Sequence, residues 1–141
     1  MFQGSHPYRT DDKGRVKLPP EFVAELGASF TVCRGPNGCL WVLPADEWMR
    51  IVARLRGDSL LDQRSLALQR FFIGSAVTTG LDGQGRLTLP PVLREFAEIQ
   101  HEVMVVGLGP RLELWARERW DAYENQLSDP AIEEMARLAG L

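Results

Sequence analysis

The sequence predicts a mainly β fold with short helices, an α+β class, built from two copies of one small unit. The pattern Asp-x-x-Gly-Arg-apolar-x-Leu-Pro-Pro at residues 11–20 returns at residues 82–91. A second echo follows each copy, a Gly-Pro pair and then a tryptophan, at Trp41 and at Trp115. A unit of roughly 45 residues buries too small a fraction of its surface to be comfortably stable alone. The two units are therefore expected to pack on each other or on another subunit.

Each copy of the motif predicts a tight turn followed by a short strand. Asp and Gly favour such turns, because the Asp carboxylate can accept from the backbone two residues on and Gly can adopt a positive φ. Apolar and polar side chains then alternate, which puts Val16 and Leu18 on one face of the strand and the intervening basic residues on the other. Residues 86–89 repeat this alternation.

A short helix and then a β-hairpin are expected after each of these strands. Proline is well tolerated at the first helical position, so the Pro-Pro pairs predict helices over residues 20–26 and 91–97. Gly-Pro turns separate the strand-like runs that follow. The expected hairpins pair residues 30–33 with 39–43 and residues 102–106 with 111–115.

Helical periodicity predicts the remaining elements. The expected helices begin at Pro44 or Asp46, cover Leu60 to Gly74, and run from Trp115 or Glu118 to about Leu127, with a looser tail from Asp129 to Leu141. The expected organisation is a first repeat over residues 5–48, a helical linker over 49–75, a second repeat over 76–120 and a C-terminal helical tail over 121–141.

The composition of the sequence indicates where the protein resides and which cofactors it could bind. The sequence has no apolar run near the about 20 residues that a membrane-spanning helix needs, and its N-terminus carries no secretory signal pattern. These features predict a cytosolic protein that makes no membrane contact. In a reducing cytosol the only two cysteines, Cys33 and Cys39, are expected to be small apolar side chains on neighbouring strands. Two cysteines are too few for a closed zinc site within one chain, so neither a metal nor another cofactor is expected.

Charge is distributed unevenly along the chain. The formal net charge of −3 argues mildly against nucleic acid as a partner. However, four basic residues fall within nine positions, and a locally basic face on an acidic protein can still bind phosphates. These residues are Arg9, Lys13, Arg15 and Lys17, whereas the acidic C-terminal stretch contains Glu118, Asp121, Glu124, Asp129, Glu133 and Glu134.

Arg15 and Arg86 occupy equivalent positions beside the two turns, and two interpretations remain open. A guanidinium on a β element can bond a phosphate or the O6 and N7 atoms of guanine with two parallel hydrogen bonds. Alternatively, each arginine bonds the Asp of its own turn and locks the loop. Lys13 and Lys17 are replaced by Gln84 and Thr88 in the second copy. A DNA surface would therefore be dominated by the first repeat.

The sequence shows no catalytic constellation. It lacks a phosphate-binding P-loop, a dinucleotide fingerprint and the Gly-x-Ser-x-Gly pattern of many hydrolases. His6 and His101 lie at non-equivalent places without a partner at metal-ligand spacing. An enzyme using Asp11 and Asp82 as acid and base would lack a nucleophile, a metal set and a cofactor site. The expectation is a protein that is not an enzyme and has no small-molecule substrate.

The doubled motif, with its hairpin and Trp-containing helix in a chain that opens Met1-Phe2-x-Gly4, resembles the MraZ family of bacterial transcriptional regulators. Each half of that family resembles an AbrB-type DNA-binding domain, and the likeness covers about residues 1–127. The resemblance implies two swapped-hairpin repeats that form a small β-barrel of double-ψ type. It also implies ring-like homo-oligomers that bind repeated elements in double-stranded DNA and repress the promoter of the cell-division and cell-wall gene cluster, in association with the nucleoid.

The resemblance assigns roles to the motif residues. The Asp-x-x-x-Arg element of the family maps onto Asp11 with Arg15 and Asp82 with Arg86, and the arginines are the implied DNA contacts. The expected DNA-binding set is Arg9, Asp11, Lys13, Arg15, Lys17, Asp82 and Arg86.

A protein-interaction module is the alternative. An AbrB-type antitoxin would bind DNA through its barrel and a protein partner through its acidic C-terminal segment. Here that segment is Glu118 to Leu141. Deleting it would then leave DNA affinity intact.

Overall fold

The computed structural model describes residues 1–57 and 62–141, which form eight strands and six α-helices in two successive sets of the same order. The first set is β1 (Phe2–Arg9), β2 (Arg15–Lys17), α1 (Pro20–Leu26), β3 (Phe30–Arg34), β4 (Leu40–Pro44), α2 (Ala45–Arg56) and α3 (Gln63–Phe72). The second set is β5 (Val77–Thr79), β6 (Arg86–Thr88), α4 (Pro91–Ala97), β7 (Glu102–Gly109), β8 (Leu112–Ala116), α5 (Arg117–Gln126) and α6 (Asp129–Leu138). The internal repeat is therefore structural as well as sequential.

The first strand of each repeat pairs with the hairpin of the other repeat. In the six-stranded sheet the order is β1-β7-β8-β4-β3-β5, and every pair is antiparallel. Thus β1 adds to the β7–β8 hairpin and β5 adds to the β3–β4 hairpin, while pairing of β4 with β8 joins the two halves. Each half consequently lacks a strand that only the other half supplies, which meets the expectation that the units need each other.

The predicted α+β class is confirmed, but the hydrogen bonds of the described residues do not close the sheet into the barrel that the resemblance implied. The six-stranded sheet ends at β1 and at β5. The motif strands β2 and β6 pair with each other in a separate two-stranded ribbon. Within the described residues, one isolated backbone bridge, from Thr10 just after β1 to Val16, connects this ribbon to the chain of the large sheet. Side chains, rather than a continuous hydrogen-bonded ladder, fill the space between ribbon and sheet.

The main core lies between this ribbon, the short helices and the large sheet. Val16 and Leu87, the central residues of β2 and β6, are fully buried in it, as the alternation of the motif predicts. It includes side chains from both repeats, among them Leu18, Phe22, Leu26, Val32, Leu40, Val42, Leu89, Leu93, Val105, Leu112 and Leu114. The core thus holds the two motif turns side by side.

Two smaller clusters cover the other face of the hairpins. The Trp41 ring stacks on Phe72 of α3, with ring centroids 4.8 Å apart, and Trp115 meets Trp120 of α5 edge to face. Cys33 and Cys39 are free thiols with no exposed surface in these clusters. Burial raises the pKa of the Cys33 thiol to about 12, so the side chain stays a neutral thiol and packs as an apolar group.

Helix positions agree with the sequence-based expectation except in two places. Helices α1 and α4 begin at the second proline of each Pro-Pro pair, as expected. The expected looseness from Asp129 is wrong, since the tail expected over residues 121–141 contains the regular helix α6, which the Ser128 hydroxyl caps by accepting from the Ala131 N–H. The expected helix start at Leu60 lies outside the described residues, and α3 is described from Gln63. Within residues 1–57 and 62–141, no helix is long and apolar enough to span a membrane.

Candidate nucleic-acid interface

The first motif turn is held by one carboxylate. Asp11 Oδ1 accepts from the backbone N–H groups of Lys13 and Arg15 at 2.9 and 3.0 Å. Asp11 Oδ2 accepts from Arg15 Nε at 2.5 Å. Gly14, at φ 73°, provides the left-handed backbone that brings the chain from the turn into β2. This Asp and this Gly therefore set the orientation of the Arg15 side chain.

The second motif turn repeats this geometry with different neighbours. Asp82 Oδ1 accepts from the N–H groups of Gln84 and Arg86 at 2.9 Å each, and Asp82 Oδ2 accepts from Arg86 Nε at 2.8 Å. Gly85 has φ 74°. The repeated sequence thus encodes one local structure twice.

Pairing of β2 with β6 brings the two turns onto one surface. Arg15 lies opposite Thr88, and Lys17 lies opposite Arg86. Arg15 and Arg86 are therefore diagonal neighbours on one face of the ribbon, a position in which side chains lie about 7–8 Å apart and long ones can reach each other. Arg86 Nη1 also approaches Asp11 Oδ2 at 3.8 Å, an ion pair between the repeats. A surface with pseudo-twofold symmetry results, with one guanidinium on each strand.

The two interpretations of the motif arginines are compatible in this geometry. Each carboxylate takes the Nε hydrogen of its arginine, and no protein acceptor within the described chain forms a hydrogen bond with the Nη groups of Arg15 or Arg86. The side chains are 27% and 26% exposed. The carboxylates thus hold guanidiniums whose Nη donors remain available for a planar acceptor pair. Such fixing of the side chains reduces the entropy lost on binding.

Both turn carboxylates are stabilised in their ionised form. The N–H of Arg15 is the main cause that lowers the pKa of Asp11 to about 2, and the Arg15 and Lys13 contacts add to it against partial desolvation. The N–H of Arg86 likewise lowers the pKa of Asp82. Each carboxylate remains charged throughout the physiological range and cannot serve as a general acid there.

The Asp11 pKa predicts a specific acid dependence of stability. Because its pKa is lower in the folded protein than its ordinary 3.8, ionised Asp11 stabilises the fold above about pH 4 and loses this effect as the pH falls to about 2. Replacing Asp11 by Asn should therefore reduce the free energy of unfolding more at pH 7 than at pH 2.5. Urea titrations of both proteins at the two pH values measure this. Asp82→Asn should behave alike, and a pH-independent difference would contradict the role of the charge.

The other predicted basic residues surround the ribbon. Lys13 at the first turn and Lys17 at the end of β2 are exposed, as is Arg9 at the end of β1. Arg9 and Lys13 line an open cleft of about 860 Å³ beside the first turn. The turns and the ribbon thus bring Asp11, Arg15, Lys17, Asp82 and Arg86 together, and Arg9 and Lys13 line the cleft beside the first turn. Gln84 and Thr88 take the places of the lysines at the second turn, which leaves this end of the ribbon less basic.

Arg94 on α4 is a further basic residue at this surface that sequence reasoning missed. Its Nε and Nη2 atoms donate to the carbonyl oxygens of Ile99 and Gln100 at 2.9 and 2.7 Å, and it lines the same cleft. A Cβ at Gly14 would lie 2.8 Å from Arg94 Nη1, so a larger residue there would displace the end of the Arg94 side chain. An alignment of the two repeats would have drawn attention to Arg94, because the equivalent position in the first repeat is the apolar Val23.

The described residues place neither a metal site nor a reactive thiol at this surface. Among residues 1–57 and 62–141, no group of three or more His, Cys, Asp or Glu side chains is arranged to hold a metal ion. The two thiols are buried beneath the hairpins, away from the ribbon. What the site offers is a fixed pair of guanidiniums, flanking lysines and a two-stranded ribbon. These are features suited to binding an anionic polymer.

Comparison with known proteins identifies similar chains. Both halves match the family described as "MraZ protein, putative antitoxin-like", over residues 1–71 and 72–141. The chain is 38% identical over 136 residues to the transcriptional regulator MraZ of Heliobacterium modesticaldum, which covers 96% of this chain and 94% of that protein. It is 40% identical over 129 residues to the transcriptional regulator MraZ of Moorella thermoacetica, with 92% and 90% covered. The boundary between the two matched halves falls at the last residue of α3, close to the boundary between the two structural repeats.

Proposed function

The chain belongs to the MraZ family of transcriptional regulators, and we propose that it regulates transcription by binding DNA through the exposed face of the β2–β6 ribbon. This membership confirms the resemblance drawn from the doubled motif. As a member the protein is a transcriptional regulator and not an enzyme. The proposed target is the promoter of the cell-division and cell-wall gene cluster, which the protein would repress on the nucleoid in the cytoplasm.

The paired motif turns are the observation that carries this proposal. A two-stranded ribbon fits the major groove, which is about 12 Å wide, and an arginine can donate two hydrogen bonds to guanine O6 and N7. Arg15 and Arg86 face the same side of the ribbon, and each is oriented by its turn carboxylate. We assign base contacts to these two arginines. Phosphate contacts are assigned to Arg9, Lys13 and Lys17, which lie around them.

Assembly of several copies would reconcile this surface with the acidic protein. One ribbon offers few basic groups, and phosphate affinity grows with the number of contacts made together. A ring that presents several ribbons on one face would multiply a weak interaction through effective concentration. Successive subunits around such a ring would bind direct repeats in the promoter, whereas a simple twofold dimer would bind a palindrome.

Binding titrations with single variants test the proposal. Against DNA from upstream of its own gene, Arg15→Ala should lose about 1–3 kcal/mol of binding free energy, with a smaller loss on a scrambled duplex. Lys17→Ala should weaken binding to both duplexes alike and reduce the slope of log affinity against log salt by about 1. Fluorescence anisotropy at two salt concentrations measures both quantities.

The control for these titrations is Arg70→Ala, which removes an exposed positive charge from α3 without touching the ribbon. It should bind as the wild type does, and circular dichroism should show that all variants are folded. Equal losses of Arg15→Ala on both duplexes would show that Arg15 holds phosphates only. Wild-type affinity in Arg15→Ala would exclude the ribbon as the interface.

A protein partner for the C-terminal segment is the second candidate function. The description of the matching family as antitoxin-like favours it, together with the exposed apolar side chains of α6. Removing residues 128–141 should then abolish partner binding and leave the affinity for one DNA element unchanged.

A further inference from the structure

Arg94 of α4 packs against the first motif turn, although it belongs to the second repeat. A Cβ built on Gly14 would lie 2.8 Å from Arg94 Nη1 and 3.4 Å from both its Cδ and its Cζ, so the guanidinium lies close to the Gly14 backbone. The same side chain donates from Nε and Nη2 to the carbonyl oxygens of Ile99 and Gln100. The Arg94 guanidinium therefore connects the turn to the loop that joins α4 to β7.

Thr10, the residue just before the turn, is anchored on that same loop. Its Oγ1 donates to the Gln100 carbonyl oxygen at 2.6 Å, and its N–H donates to the His101 carbonyl oxygen at 2.8 Å. The Thr10 side chain is buried. At the other end of the turn, the Leu89 N–H donates to the Gly14 carbonyl oxygen at 3.0 Å. Atoms of the second repeat thus hold the first turn both at its start and at its glycine.

The second turn has neither of these side-chain anchors. Leu81 takes the place of Thr10 there, so no hydroxyl is available to donate. Val23 takes the place of Arg94, and its Cγ2 atom would lie 3.6 Å from a Cβ at Gly85, an ordinary van der Waals distance. A methyl group packs at this distance but forms no hydrogen bond. The two turns are therefore alike in their own Asp and Arg contacts but are held unequally by the opposite repeat.

The orientation of the Arg15 side chain depends on the first turn. The backbone N–H and the Nε of Arg15 both donate to Asp11, which directly follows Thr10 in the chain. A shift at Thr10 or Gly14 would therefore move the carboxylate and tilt the guanidinium that it holds. Two parallel hydrogen bonds to a base need both donors at fixed positions, so a tilt weakens them. Attraction to a phosphate depends much less on the direction of the donor.

We propose that Arg94 is a positioning residue for base recognition, which acts with Thr10 to fix the first turn so that Arg15 reads a base. Because it assumes that the ribbon binds DNA, this role rests on the proposed function. The two turns then differ in their roles. The first turn, anchored on the second repeat, discriminates between sequences, because a contact group that is ordered before binding loses less entropy on binding. The second turn adjusts to the surface of the DNA.

The variant Arg94→Lys tests this role in the full chain. Lysine keeps the positive charge but lacks the planar guanidinium that lies against Gly14 while it donates in two fixed directions. The ratio of the affinities for upstream DNA and for a scrambled duplex should fall about tenfold, which is within the discrimination that one bidentate base contact provides. Affinity for the scrambled duplex should stay near the wild-type value. Fluorescence anisotropy at one salt concentration measures both affinities.

A second variant, Thr10→Val, removes the other anchor without altering any charge. Valine has nearly the shape of threonine but cannot donate to Gln100, so the same affinity ratio should fall. The matched control is Arg117→Lys, the same substitution at another arginine that lines the same cleft, where the side chain pairs with Asp121. This control should keep the wild-type ratio. Urea titrations should show that all three variants are folded under the binding conditions.

Hydrogen exchange of the two turns gives a readout that needs no DNA. In each turn, backbone N–H groups donate to the turn carboxylate, which slows their exchange. In Arg94→Lys, exchange should become faster in residues 11–15 and stay unchanged in residues 82–86. Faster exchange in both turns, or in neither, would contradict a local action of Arg94 on the first turn.

The DNA titrations distinguish this inference from the proposed function. Loss of specificity in Arg15→Ala together with a wild-type ratio in Arg94→Lys would refute the role of Arg94 alone. Equal losses of Arg94→Lys on both duplexes would show an effect on phosphate contacts only and would also overturn it. A wild type that binds both duplexes alike would contradict the proposed function and the positioning role together.

Discussion

Replacing Leu87 by alanine should destabilise the folded protein by about 2–5 kcal/mol, the cost of a large cavity in a closely packed core. Leu87 is the central residue of β6, pairs with Val16 across the ribbon and has no exposed surface. Its side chain holds the ribbon against the large sheet, so the lost volume lies directly beneath the motif turns. Urea denaturation followed by tryptophan fluorescence measures the difference in the free energy of unfolding.

The matched control for this change is Leu108→Ala on β7. Leu108 is 44% exposed, and its truncation should alter the free energy of unfolding by less than about 0.5 kcal/mol. Similar losses for the two variants would contradict the burial of Leu87 in the core between the ribbon and the large sheet.

Replacing Gly107 by alanine should cost about 1–3 kcal/mol, because the new methyl group has no space. A Cβ at this position would lie 2.6 Å from the carbonyl carbon of Phe2 and 2.7 Å from Gln3 Cα. These are backbone atoms of β1, so no side-chain rotation can relieve the contact. The first strand would have to move away from β7. Thermal unfolding and hydrogen exchange of the β1 amides measure the change.

Gly83 provides the control for this substitution. A Cβ at Gly83 would meet no atom within 4 Å, and its φ lies outside the left-handed region. Gly83→Ala should be neutral or stabilise the protein by up to about 1 kcal/mol, because it restricts the unfolded chain. In Gly107→Ala we expect the β1 amides to lose their protection from hydrogen exchange, while the amides of the other strands stay protected. Wild-type stability of Gly107→Ala would contradict the close approach of β1 to β7.

Elements with local signals were predictable from the sequence. The two Pro-Pro pairs and the Gly-Pro turns define α1, α4 and both hairpins, because proline and glycine act on the backbone at their own positions. The alternation of apolar and polar residues around Val16 and Leu87 correctly predicted that these two side chains are buried. These signals depend only on residues that are neighbours in sequence, so they can be recognised without knowing the tertiary structure.

Strands β1 and β5 could not be predicted because their pairing is set by distant residues. Only one residue of β1, Phe2, is buried, and β5 has none, so neither shows a clear apolar alternation. Each is a strand because an unpaired edge of the other repeat accepts it. The open sheet has the same cause, since β2 and β6 satisfy each other instead of joining it.

The residues of the proposed site can be picked out in the sequence, but their arrangement cannot. Repetition singled out Asp11, Arg15, Asp82 and Arg86, yet only the fold shows them on one ribbon face. From the sequence alone, two roles of the motif arginines were alternatives: each arginine bonds the Asp of its own turn, or each contacts DNA. The geometry makes them compatible, because the carboxylates bond Nε and leave the Nη donors.

The most direct test of the central proposal keeps the charge and removes the guanidinium. The double variant Arg15→Lys/Arg86→Lys retains two positive charges but cannot donate the parallel pair of hydrogen bonds that arginine offers to guanine. Its affinities for upstream DNA and for a scrambled duplex, measured by anisotropy at one salt concentration, give a specificity ratio. If the ribbon reads bases, this ratio should fall at least tenfold while binding to the scrambled duplex stays near the wild-type value. An unchanged ratio would contradict base recognition by these two arginines.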